Sequence, residues 1–481
     1  MGYYFISIGG SGAKVLESLT HLCAAGAMPT RDKLNILAID PDAGNGNLER
    51  TSTTLHNFDT FQNMGVGEDT PLFKTEVSLV DPFPWKPVDV DMTLDDLMGF
   101  QIYGSSPLGS LYQVLYTRKE RATRLNEGFR GHPSIGAAVL AKRYILHEDR
   151  HTQWTDFIQK IRGDTGGGSD VKIFLAGSVF GGTGAAGIPT ISRLLRNSLK
   201  DKKDKISIGV ALILPYFSFV PTGDSKDLFA RSENFLTNTK AALKYYAQKD
   251  NVFNAMYFVG DSHVTQVKDF SVGASTQRND AHIVDFYAAL AAIDFFAQPV
   301  TDTPEFKCIS HGESDRFNWT DFPTLKEVTN ESAGDLELRK RFVQFARFIF
   351  AYVRFVKPVL QELLEGRRQS YQYPWFVDYF SGVEINRSEI KNFEDYVESF
   401  VLWLKQLESL PGREISLIKN SMFIAEPAQI IRPEEFKSCD GSETDLTLHE
   451  IWYRLSESYS FNSSTGGFGR FLRRLYEACR V

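Results

Sequence analysis

Two glycine-rich stretches are the residues of this chain whose types and spacing most clearly predict chemistry. The longer one, residues 177–187, has the sequence GSVFGGTGAAG and lies between an apolar run at 171–176 and a helical pattern at 188–199. A strand, a glycine-dense turn and a helix bring main-chain N–H groups together where they can surround a phosphate. Glycine is needed because such a turn visits positive φ and lets a ligand approach the main chain closely. Thr183 adds a hydroxyl donor, so this stretch predicts a phosphate site.

The chain also opens with a strand, a glycine turn and a helix. Residues 3–8 are apolar, and residues 15–23 have the apolar spacing of a helix. The turn between them consists of Gly9, Gly10, Ser11 and Gly12. One interpretation is the dinucleotide fingerprint GxGxxG, but its third glycine would fall at Val15. The Walker A pattern GxxxxGK[ST] does not occur there either, so we predict a phosphate turn of another kind.

A carboxylate follows the next predicted strand. The apolar run at 34–39 ends in Asp40-Pro41-Asp42. An acidic side chain at the end of the second strand suits either a ribose contact or a metal-linked phosphate site. Taken with the first glycine turn alone, Asp40 would indicate an NAD site, but the later glycine stretch would then have no role.

A third segment has the features of a helix N-terminus. Residues 131–136, GHPSIG, precede a helix predicted over 137–146, and Pro133 and Ser134 suit its first turn. The helix dipole favours an anion at that end. His132 either lines the site or caps the turn.

Composition limits the class of protein and its compartment. The 481 residues are 42% hydrophobic and 13% aromatic, which predicts large buried cores. The net charge of −7 argues against a protein that binds nucleic acid directly. No apolar run reaches the roughly 20 residues that span a bilayer, and the first strand leaves no room for a signal peptide. We expect a reduced, cytoplasmic protein, since no CxxC spacing connects Cys23, Cys308, Cys439 and Cys479.

In their order along the chain, these segments resemble the tubulin/FtsZ superfamily of GTP-binding proteins. Residues 177–184 look like the superfamily's signature loop, GGGTG[ST]G, with Ala185 in place of the small hydroxyl residue. The turn at 9–12 looks like the first phosphate loop, and residues 40–43 are similar to the NTDxx segment after the second strand. Residues 132–136 are similar to the NPxxG segment of FtsZ, with His in place of Asn.

The resemblance covers about residues 1–330 and implies an α/β fold. It implies a Rossmann-like GTPase domain with a parallel sheet over 1–298, with an insertion at about 45–128 and a central helix at 279–297. A second domain, mostly helical or α+β, would occupy 299–481, with a loop similar to the family's synergy loop and a helical extension.

The resemblance also implies the nucleotide contacts. Those to phosphate are Gly9, Gly10, Ser11, Gly12, Gly177, Phe180, Gly181, Gly182, Thr183 and Gly184, where Phe180 is bulky at a usually small position. Further contacts are Asp40, His132 and Ser134, and the helix after the ribose loop would supply Arg231, Asn234 and Asn238. The guanine edge would be read by Asn279 and Asp280, whose competing interpretation is helix capping.

The family's reaction would need a second subunit. The synergy loop is matched loosely by residues 315–321, DRFNWTD, in which Asp321 is the first candidate for the catalytic acid and Asp315 the second. A surface turn is the alternative. The resemblance implies GTP or GDP with Mg²⁺, assembly of identical subunits head to tail into cytoskeletal filaments, and hydrolysis that depends on this assembly.

Two other functions remain open at this point. One is a nucleotide-binding scaffold that does not hydrolyse and serves a partner, either an accessory protein or one associated with the membrane. The other is a Rossmann-type NAD enzyme that uses Gly10, Gly12 and Asp40.

Three structural expectations complete the sequence analysis. Lys14, beyond the first glycine turn, either touches a phosphate or is solvated. Lys340, Arg347 and Arg354 recur every seven residues in a helix predicted over 341–365, which predicts a solvated basic face or a contact with an acidic partner or lipid surface. The 45–128 insertion is expected to be irregular, with short helices such as 111–124.

Overall fold

The structure is a computed structural model that describes residues 1–28, 33–42, 44–63, 72–81, 83–88, 91–129, 131–147, 153–219, 232–248, 252–261, 263–267, 279–299, 316–318, 338–382, 386–411, 414–416, 448–456 and 467–480. The chain forms two compact units that alternate along the sequence. The first contains Met1–Leu19, Asp32–Thr53 and Val77–Phe306, and the second contains Thr20–Arg31, Thr54–Glu76 and Lys307–Val481. The predicted boundary between two domains at residues 298/299 stays a prediction.

The first unit is built on a six-stranded parallel sheet. Its strands, in the order β3-β2-β1-β4-β5-β7, are β1 (Gly2–Ile8), β2 (Leu34–Ile39), β3 (Val77–Leu79), β4 (Val171–Ser178), β5 (Ile206–Ile213) and β7 (Ala255–Val259). Two short strands, β6 (Phe217–Phe219) and β8 (Thr265–Val267), pair separately and in parallel. β1, β2, β4 and β5 are buried along their whole length, which is why they are continuous apolar runs in the sequence. The predicted parallel α/β fold is confirmed.

The order of the strands fixes where a ligand can bind. β1 lies between β2 on one side and β4 on the other, and Ser7 is paired with Ala176 near the carboxyl ends of the two strands. The chain therefore reverses its direction of winding between β1 and β4. In open α/β sheets, ligands bind outside the carboxyl ends of the strands at such a switch point. Both glycine turns follow these two strands.

The helices of the first part of the chain are α1 (Gly9–Ala24), α2 (Gly46–Gln62), α3 (Leu94–Met98), α4 (Phe100–Tyr103), α5 (Pro107–Leu115), α6 (Arg118–Arg121), α7 (Pro133–His147), α8 (Gln153–Gly166), α9 (Gly182–Ser198), α10 (Ser232–Tyr246) and α11 (Ile283–Ala297). Apolar side chains of α8 and α9 form one buried cluster with the sheet. On α11, the rings of Phe295 and Phe296 contact Phe174 of β4 and Tyr3 of β1. The aromatic content thus contributes to a core around the sheet.

Two predicted helices begin earlier than expected. α1 begins at Gly9, not at residue 15, and α9 begins at Gly182, not at residue 188. Glycine is a weak helix former, so the pattern placed both starts after the glycines. In the structure, the glycines instead form the first turns of the two helices, with Gly9 at φ +72° between strand and helix.

The insertion at 45–128 is more regular than predicted. The 17-residue α2 occupies its first part, because Leu48, Leu55 and Phe58 recur at helical spacing and are buried. The helix predicted over 111–124 is two helices, α5 and α6. They are separated because Thr117 caps α6 in a reciprocal pair of hydrogen bonds with Glu120.

The second unit is mostly helical, as predicted. Its later helices are α12 (Leu338–Ala351), α13 (Lys357–Leu364), α14 (Pro374–Phe380), α15 (Arg387–Glu408), α16 (Leu448–Ser456) and α17 (Phe468–Ala478), and β9 (Arg316–Asn318) pairs in parallel with β10 (Glu414–Ser416). A π-helical segment, Tyr352–Val356, connects α12 to α13, and the second residue of α13 is Pro358, which has no N–H to donate. None of the described helices is long and apolar enough to cross a membrane.

The prediction of a solvated basic stripe is wrong for Arg347 and Arg354. Both are buried, with 5% and 6% of their surface exposed. Arg347 lies on α12 and Arg354 in the π-helical segment after it. α12 packs against other helices: the Phe345 ring lies 5.1 Å from that of Phe400 on α15, and α12 also contacts α17. A contact with a lipid surface through these two residues is excluded for the same reason.

Candidate nucleotide site

The two glycine turns contact each other at the switch point. A Cβ on Gly9 would lie 3.2 Å from Cβ of Thr183, and one on Gly12 would lie 2.6 Å from the carbonyl O of Ala176. Real Cβ atoms do not approach a main-chain oxygen this closely, so Gly12 is required for the contact of α1 with β4. The glycine spacing that predicted a phosphate site therefore also allows close packing of these segments.

The glycine stretch at 177–187 is packed as closely as the first glycine turn. A Cβ on Gly184 would lie 2.5 Å from the carbonyl O of Ser178 and 2.7 Å from its N. Gly181 is the N-cap of α9 and provides no side chain for capping. The first N–H groups of a helix have no partner within the helix and point outward, where an anion can accept from them. Neither α1 nor α9 has an acidic residue in its first turn, so no carboxylate competes for these donors.

A third helix N-terminus lies beside the second glycine stretch. A Cβ on Gly182 would lie 2.8 Å from N of Gly131, and one on Gly136 would lie 2.5 Å from Cβ of Ala186. The two segments therefore run side by side in the same direction, and α7 and α9 begin at the same end. The first turns of α1, α7 and α9 therefore lie close together at one edge of the sheet.

His132 and Ser134 lie in the first part of this third segment. The main-chain N–H of His132 donates to the carbonyl of Phe129. The ring Nδ1 of His132 lies 3.3 Å from Oε1 of Glu120. Burial lowers the pKa of His132 more than Glu120 raises it, so the ring is neutral at pH 7. Ser134 is exposed on the first turn of α7, and its carbonyl accepts from the Tyr116 hydroxyl.

Asp40 is at the carboxyl end of β2 and has little exposure. One carboxyl oxygen accepts from N–H of Asp42 at 3.0 Å. Burial raises the pKa of Asp40 to about 8, and the neighbouring Asp42 carboxylate adds to this increase. At pH 7 the Asp40 carboxyl is mostly neutral, so it would not repel a phosphate.

Two asparagines beside the first glycine turn were not found by sequence reasoning. Asn45 and Asn47 are buried just before and within the start of α2. A Cβ on Gly10 would lie 3.0 Å from Nδ2 of Asn45 and 3.3 Å from Nδ2 of Asn47. The sequence signal that could have located them is a pair of asparagines on either side of the first residue of an amphipathic helix.

Lys14 is neither solvated nor directed at a free anion, which corrects the expectation. Its ammonium forms a buried ion pair with Asp285 at 2.9 Å and donates to the Tyr216 hydroxyl at 2.6 Å. That hydroxyl donates to Oδ1 of Asp285 at 3.0 Å. Burial, followed by Asp285, raises the pKa of Tyr216 well above its usual value, so the phenol stays neutral. α1 is thereby linked to the end of β5 and to the start of α11.

A second buried ion pair lies one turn further along α1. Arg50 of α2 donates from Nε and Nη2 to the Glu17 carboxylate at 2.7–2.9 Å, and from Nη1 to the carbonyl of Asn279 at 2.8 Å. Burial alone would lower the pKa of Arg50, but Glu17 and, to a lesser extent, Asp285 and Asp280 raise it above the ordinary value. The guanidinium therefore stays charged.

The start of the central helix differs from the prediction. α11 begins at Ile283, four residues later than expected, because His282 is its N-cap and forms reciprocal hydrogen bonds with Asp285. Asn279 and Asp280 lie before the helix, so the capping role belongs to His282 and Asp285 instead. Asn279 is half-buried and Asp280 is exposed.

Phe180 is buried among aromatic rings. Its ring lies 4.7 Å from that of Phe235 on α10 and 5.5 Å from that of Phe217 on β6. Its carbonyl accepts from Nδ2 of Asn238 at 3.3 Å. The bulky side chain is therefore accommodated in a core beside the glycine turn, and α10 is attached to that turn.

Several predicted site residues are outside what the structure describes. Arg231, the ribose-loop segment at 220–228, and both candidates for the catalytic acid, Asp315 and Asp321, lie outside the described residues. Asn234 is in α10, but its side chain is not among those described. Their roles stay predictions.

Fold and site define a doubly wound α/β protein with glycine turns and three helix N-termini at its switch point. A family model described as "Tubulin like" matches residues 115–279, which include α7, the glycine stretch at 177–187 and Asn279. The predicted resemblance is confirmed: the match supports membership in the tubulin/FtsZ-like superfamily. No curated protein matches the chain.

Proposed function

We propose that this tubulin-like chain binds GTP or GDP at the switch point between β1 and β4. The observation that carries the proposal is the convergence of the first turns of α1, α7 and α9 on one edge of the sheet. These turns present main-chain N–H donors, and an anion at a helix N-terminus is also favoured by the dipole. A di- or triphosphate provides enough acceptors for all three.

The residues present are compatible with Mg²⁺ at this site. The described residues contain no group of three or more His, Cys, Asp and Glu side chains that could hold a metal ion. Mg²⁺ in nucleotide sites relies on phosphate oxygens and water with one or two carboxylates. Asp42 follows β2, whose last residue, Ile39, pairs with Ile8 directly before the first glycine turn, so this carboxyl lies at the same end of the sheet. When bound, the ion would neutralise charge on the terminal phosphates.

The alternative of an NAD enzyme is disfavoured by Asp40. A dinucleotide site uses the carboxylate after the second strand to accept from the ribose hydroxyls. Here that carboxyl is buried, accepts from Asp42 and is mostly neutral at pH 7. A titration with GTP, ATP and NAD tests the proposal directly: GTP should bind most tightly, and preferential binding of NAD would overturn it.

We further propose that GTP is hydrolysed when subunits assemble head to tail. Asp321, or otherwise Asp315, of one subunit would orient water at the terminal phosphate held by the next. Contacts of this heterologous kind form filaments when the rotation between subunits does not close. Phosphate release should rise more than linearly with protein concentration, and Asp321→Ala should bind GTP while its turnover falls by roughly two orders of magnitude. Constant specific activity at all concentrations would contradict assembly-dependent hydrolysis.

A scaffold that binds nucleotide without hydrolysis is the second candidate. It is favoured by α5, on which Leu108, Leu111, Val114 and Leu115 are more than half exposed. Clustered apolar side chains on a surface are typical of protein interaction sites. GTP that stays bound without phosphate release at high protein concentration would support this candidate over the GTPase.

A further inference from the structure

The main chain of Asn279 is held on both sides by residues of α2. Its N–H donates to Oδ1 of Asn47 at 2.9 Å, and its carbonyl accepts from Nη1 of Arg50 at 2.8 Å. Both partners are buried, with 2% and 5% of their surface exposed. Because both main-chain polar groups of Asn279 have partners within the protein, the side chain of this half-buried residue is the part left to contact a ligand.

Arg50 can serve this contact because Glu17 fixes it. The guanidinium directs Nε and Nη2 to the carboxylate and the remaining Nη1 to Asn279, so the planar group is held in one orientation. Lysine could keep the charge opposite Glu17, but a single ammonium on a flexible stem does not reproduce this fixed fork. Asn47 also lies beside Gly10 of the first glycine turn, so one short segment of α2 touches both parts of the site.

We propose that Arg50 and Asn47 are positioning residues that fix Asn279 for selection of guanine over adenine. The inference rests on the proposed function, since it assigns a mechanism of base selection to the same site. It requires that Arg50 acts on the base end of the nucleotide with little effect on binding of the phosphates, whereas Asn47 also lies beside the first glycine turn.

Two variants test the two halves of this clamp. Arg50→Lys keeps a cation beside Glu17 and loses the fork, while Asn47→Ala removes the acceptor for the Asn279 N–H. The pair Glu17→Gln with Arg50→Gln serves as a further variant that leaves no unpaired buried charge if either single substitution unfolds the chain. Arg162→Lys is the matched control: Arg162 also donates to a carbonyl, that of Ser198, and to a carboxylate, that of Asp201, but at the far end of α9.

The first measurement is hydrogen exchange of the amides at 279–283 without nucleotide. Asn47→Ala should speed exchange there by about tenfold or more, because a protected donor loses its acceptor. Arg162→Lys should leave it unchanged. Unchanged exchange in Asn47→Ala would show that no clamp exists, whatever the protein binds.

The second measurement compares the dissociation constants for GTP, ATP and inorganic tripolyphosphate. In Arg50→Lys the preference for GTP over ATP should fall by about tenfold, with tripolyphosphate affinity within about twofold of the original. In Asn47→Ala the preference should fall by a similar factor, together with a loss of tripolyphosphate affinity, because Asn47 also lies beside Gly10. An equal loss for all three ligands would overturn base positioning in favour of general destabilisation. If the unaltered protein itself shows no preference for GTP, the proposed function fails and base selection fails with it, whereas the exchange measurement still decides whether the clamp exists.

Discussion

The two halves of the candidate site are built by different means. The side that we propose for the phosphates consists of main chain: glycines bring α1 and α9 into contact, and a Cβ at Gly12 or Gly184 would lie within 2.6 Å of a main-chain oxygen. The side that we propose for the base consists of buried charged side chains, with Lys14 paired to Asp285 and Glu17 paired to Arg50. α1 belongs to both halves, with its first turn on one side and its second and third turns on the other.

This difference indicates what each half can tolerate. A main-chain site for an anion needs open space around its N–H groups, so any added side-chain atom should impair it. A network of buried ion pairs is sensitive to the loss of one partner, because the other charge is left without compensation. The predictions below follow from this contrast.

The largest effect is expected on the base side. Lys14→Ala should lower the free energy of unfolding by about 3–5 kcal/mol, because it leaves the Asp285 carboxylate buried without its cation. Chemical denaturation followed by circular dichroism measures the change. The double variant Lys14→Met with Asp285→Asn should recover most of the loss, since it removes both charges. A stable Lys14→Ala protein that loses only nucleotide affinity would instead assign Lys14 to the phosphate side.

The phosphate side should respond to addition of a single methyl group. Gly184→Ala should cost up to about 3 kcal/mol and weaken nucleotide binding by more than about tenfold, because the new Cβ meets main-chain atoms of Ser178 that cannot move away as a flexible side chain could. Calorimetric titration with GTP and thermal unfolding measure the two effects.

Gly163→Ala is the matched control for that substitution. Gly163 lies within α8, and a Cβ there would have no heavy atom within 4 Å. Alanine should therefore stabilise the helix by roughly 0.5–1 kcal/mol and leave GTP binding unchanged. Equal behaviour of the two variants would refute the contrast between crowded and open glycines.

The phosphate side was largely predictable from the sequence. The bounds of β2 match the apolar run at 34–39, and both glycine turns were located, because an apolar run and a glycine cluster are local patterns. The starts of α1 and α9 were predicted too late, since helix propensity alone places glycine outside a helix.

The base side was not predictable in the same way. Lys14 and Tyr216 are 202 residues apart, and Arg50 and Glu17 are 33 apart, so no local pattern relates them. A charged residue on a helix is most often solvated, and only the packing of α1 against its neighbours makes Lys14 and Glu17 buried. The burial of Arg347 and Arg354 was missed for the same physical reason.

The last expected effect concerns a carboxyl group near the proposed phosphate side and depends on pH. Burial raises the pKa of Asp40 to about 8, so the folded state keeps a proton there that the unfolded chain loses near pH 4. Its contribution to stability is therefore present below about pH 4 and is lost as the pH rises toward 8. Asp40→Asn can still accept from N–H of Asp42 and does not titrate. Measured without nucleotide, the variant should gain stability relative to the original protein by about 1.4 kcal/mol for each unit by which the pH rises from 5 toward 8. A difference independent of pH would show that Asp40 is already ionised in the folded state, and the phosphate side would then contain a buried negative charge that repels its ligand.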